Sequence, residues 1–75
     1  MNIRDTMDAA GHCLARGTST DLRLTADYIE QAARQMNDEG WSYKQVQMVL
    51  GAVGRAELLP LVLSAMLDSA REART

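Results

Sequence analysis

Phenylalanine is absent from this chain, and cysteine, histidine, proline and tryptophan occur once each among its 75 residues. A lone cysteine, Cys13, excludes an internal disulfide and makes a reducing cytoplasm the expected compartment. One histidine and one cysteine cannot build a tetrahedral metal site within one chain, so neither metal nor cofactor is expected. Long apolar runs are missing too. The amino end, Met1-Asn2-Ile3-Arg4-Asp5, has no apolar signal segment, and the longest greasy stretch, Leu58 to Leu67, is broken by Ser64. That stretch is about half a membrane span, so neither secretion nor membrane insertion is expected.

Charge of one sign is also lacking. Eight Lys/Arg stand against ten Asp/Glu, for a net charge of −2, and the basic residues are scattered along the chain. A surface that grips phosphates by counterion release carries a clear basic excess, which speaks against nucleic acid as the partner. The acids are equally dispersed, so a carboxylate-rich mimic of DNA is not expected either.

What remains is a chain 47% hydrophobic and 24% charged, a balance that suits a compact fold rather than disorder. Residues 1–75 form one domain, since the length leaves no room for a second core. So small a domain buries only about 60% of the surface its unfolded chain exposes, which makes association with another subunit a natural supplement.

Strict alternation is absent, whereas apolar residues recur at three- and four-residue steps in four segments. The expectation is an all-α bundle of four short helices, at about 3–16, 21–39, 43–53 and 57–72, with dimerisation able to complete it. In the first helix Ile3, Met7, Ala10 and Leu14 share a face with Cys13 beside it, Gly11 interrupts, and Gly17 provides a left-handed stop. In the second, Leu22, Ala26, Ile29, Ala33 and Met36 form the inner stripe, opposite Arg23, Asp27, Glu30 and Arg34. The third places Tyr43, Val46, Val49, Leu50 and Val53 inward and leaves Met48 outside.

The junction Met36 to Val46 carries the densest local information. Gly40 fits the left-handed position after a helix, Ser42-Tyr43-Lys44-Gln45 has the form of a capping box, and Trp41 can staple the two ends together. Trp41 could alternatively be an exposed hot spot for a partner, and Met48 a second adaptable contact. Pro60 requires the fourth helix to begin near Glu57, so that the missing N–H falls in the first turn. Apolar residues from Leu58 to Ala73 then cover about 240° of that helix, more than a one-sided helix needs.

No constellation suggests catalysis. His12 and Cys13 are adjacent but point about 100° apart on a helix, and no Gly-rich phosphate loop is present. The chain is not expected to be an enzyme or to bind a small-molecule substrate.

The segment from Gly40 to Gly51, twelve of the 75 residues, resembles the opening half of a bacterial helix-turn-helix. That resemblance implies a recognition helix to follow, with polar and basic side chains, and a DNA-binding regulator whose degenerate motif spans about 40–63, served by Lys44 and Arg55. The segment that follows is Glu57-Leu58-Leu59-Pro60-Leu61-Val62-Leu63, which offers leucine instead. The sequence therefore favours a cytoplasmic protein-interaction module that homodimerises or docks on a larger protein as adaptor, inhibitor or regulator. Its expected contact residues are Leu58, Leu61 and Ala65, with Met48 and Trp41 beside them.

Overall fold

A computed structural model describes residues 2–74, with side chains to Glu72; the expectation for Ala73 lies outside the described side chains. Four helices are present, α1 (Ile3–Arg16), α2 (Ser19–Asp38), α3 (Tyr43–Ala52) and α4 (Leu59–Arg74), and no strand occurs among the described residues. The fold is an all-α bundle in which the long α2 is the spine, with α1 packed along one side and α4 along another. The short α3 bridges the far end of the bundle.

The first three helices each begin at a side-chain cap and end at a glycine of positive φ. The Asn2 side chain accepts the Asp5 N–H at 2.9 Å to open α1, and Gly17, at φ 69°, closes it by donating its N–H to the Cys13 carbonyl. Thr18 caps α2 through the Asp21 N–H, which starts this helix two residues earlier than the sequence suggests. At the other end the Trp41 N–H reaches the Met36 carbonyl at 2.9 Å and the Gly40 N–H reaches Asn37, completing a Schellman stop with Gly40 at φ 73°. The expected capping box forms: Ser42 Oγ accepts the Gln45 N–H, and Gln45 Oε1 accepts the Ser42 N–H at 2.7 Å.

A second Schellman stop ends α3, with Arg55 N–H on Leu50 O at 2.8 Å. A single 3-10 turn, Ala56–Leu58, then fills the place where the sequence puts the start of the fourth helix. Pro60 lies in the first turn of α4, where its missing N–H costs nothing. The turn swings Leu58 into the interior.

The core joins Ile3, Met7 and Ala10 of α1, Ile29, Ala32 and Met36 of α2, Val46 and Leu50 of α3, Leu58, and Val62 of α4. Two expected faces are rotated. On α2, Leu22 and Ala26 are exposed and Thr25, Ile29, Ala32, Ala33 and Met36 are buried. The cause is α1, which approaches through the small residue Ala10, whose carbonyl lies 3.5 Å from the Thr25 hydroxyl. There Thr25 fits where a leucine would not, donating its hydroxyl to Asp21 O at 2.8 Å. Leu22, near the start of α2, is left 48% exposed. On α1, Cys13 turns inward and Leu14 outward for the same reason.

Tyr43 departs from its expected inner arc as well, with 57% of its surface exposed. As the first residue of α3 it lies beyond the core residues Val46 and Leu50, and its ring lies along α4 instead.

Candidate docking surface

The residues expected to form an interface do not come together. Leu58 is fully buried and belongs to the core, which corrects its assignment to a contact surface. Its position in the 3-10 turn, one turn before the buried Val62, places it under α4 rather than on it. Leu61 is 45% exposed, and Ala65 is half-buried in a groove whose other walls are Glu30, Asp68, Ser69 and Glu72. Acids thus crowd the row chosen from sequence. Met48 is 64% exposed on the outer side of α3 and does not line the apolar groove described below. Trp41 is half-buried against the core, its indole N–H donating to Glu39 Oε1 at 3.1 Å, so its structural role is filled.

A different face of α4 carries the apolar surface. Leu63, Met66, Leu67 and Ala70, together with Tyr43 from α3 and Asn37 from α2, line a shallow groove of about 380 Å³. Apart from the Tyr43 hydroxyl, Asn37 is the polar side chain there, and its amide Nδ2 donates to the Met66 carbonyl at 2.8 Å. That bond also ties α4 to α2 and so fixes the groove's floor. Leu67, 62% exposed, forms the outer ridge.

The signal for this face was present in the sequence. Pro60, Leu63, Leu67 and Ala70 are spaced by three, four and three residues, the pattern of a helical seam that packs on another helix. It was masked because the apolar arc of α4 is so wide that several rows of this spacing can be drawn. Only the placement of α2 and α3 decides which row is left uncovered.

His12 is exposed, with Nε2 3.5 Å from Asp8 Oδ2, whereas Cys13 points into the α1–α2 interface. Arg16 Nη2 lies 3.7 Å from Cys13 Sγ, and this contact, with the Asp21 carboxylate second, raises the already high pKa of the guanidinium. Among the described residues no three His, Cys, Asp or Glu side chains gather to hold a metal ion, and no helix is long and apolar enough to cross a membrane.

Arg55, one of the two cations on which DNA contact would depend, is turned inward. Its guanidinium pairs with Asp8 at 3.0 Å and lies 4.0 Å from Glu57 Oε1, while its stem covers Gly11. Comparison with protein-family models, with curated proteins and with solved structures returns no match for this chain.

Proposed function

We propose that this chain is a small protein-docking module, an adaptor, inhibitor or regulator working in the reducing cytoplasm. The groove between Tyr43 and α4 receives an apolar segment of a protein partner. One observation carries this reading. Two large side chains on different helices, Tyr43 and Leu67, stand exposed around the half-buried Leu63, Met66 and Ala70, and the polar groups among them are few: the Tyr43 hydroxyl and the Asn37 amide, which already donates to the Met66 carbonyl. Water gains few hydrogen bonds from such a surface, so covering it is favoured by roughly 25 cal/mol per Å² of apolar area.

The lone buried Cys13 supports the compartment, because a thiol sheltered between helices needs no oxidising environment to serve as a small hydrophobe. The test is site-directed photo-crosslinking in the native host. A benzophenone side chain at position 67 is expected to give discrete protein adducts, and the same group at Arg23, on the solvated face of α2, none. Equal labelling from both positions, or none from position 67, overturns the reading.

A further inference from the structure

We draw no further inference here: the strongest candidate, the apolar groove that Tyr43 of α3 forms with Leu63, Met66, Leu67 and Ala70 of α4, belongs to the docking surface already described, and nothing in the structure shows what covers it.

Discussion

Gly11 shows how one residue can be understood only with its neighbour. It sits mid-helix in α1, where glycine costs about 1 kcal/mol relative to alanine, and it is buried. A Cβ there would overlap the Cδ, Nε and Cζ atoms of Arg55, whose guanidinium bonds Asp8 three residues earlier on the same helix. The buried Arg55 Nε has no hydrogen-bond partner, so the stacking over Gly11 carries a desolvation cost that the Asp8 pair must offset. Asp8 is about half exposed, which limits that pair to about 0.2 to 1 kcal/mol. Two effects of similar size therefore oppose each other. Gly11→Ala is expected to be near neutral in urea melts of the natural chain and stabilising by about 1 kcal/mol in an Arg55→Ala background. Equal effects in both backgrounds would show that Arg55 does not depend on the glycine. The sequence shows Gly11 as an interruption of the first helix, and the residue that packs over it lies 44 positions later and follows no periodic rule.

Helix ends were the most legible elements, because their chemistry is local. Gly17, Gly40 and the Ser42/Gln45 box all act where the sequence places them, since each needs only residues within one turn. Faces were less legible. On α2 the more hydrophobic stripe through Leu22 and Ala26 lost to one through Thr25 and Ala32, because contact with α1 selects small side chains over greasy ones. The two end motifs flanking Trp41 lead to a paired expectation. Gly40→Ala forces a Cβ into φ 73° with no neighbouring atom to strike, so its cost is conformational alone, about 1 to 2 kcal/mol. Ser42→Ala removes one cap and is expected to cost about 1 kcal/mol. Thermal unfolding of both should show Gly40→Ala as the equal or larger loss; a neutral Gly40→Ala would mean that the stop reforms without its left-handed residue.

At the scale of the whole molecule, the surplus of apolar surface on α4 was legible and its location was not. Periodicity gives a 240° arc but no direction, and the direction comes from α2, the spine against which α4 settles with Val62 inward. The 3-10 turn then takes Leu58 into the core and leaves Leu67 on the outside, so two leucines of one apolar arc have opposite fates. Truncating each separates them. Leu58→Ala opens a cavity among Val46, Leu50 and their neighbours and is expected to cost about 2 to 5 kcal/mol. A domain of this length has roughly 4 to 11 kcal/mol in all, so that single change can leave a large unfolded fraction at 37 °C. Leu67→Ala is expected to shift stability by no more than about 0.5 kcal/mol. Comparable losses from both truncations in dilute solution would place Leu67 inside the fold and remove the surface on which docking depends.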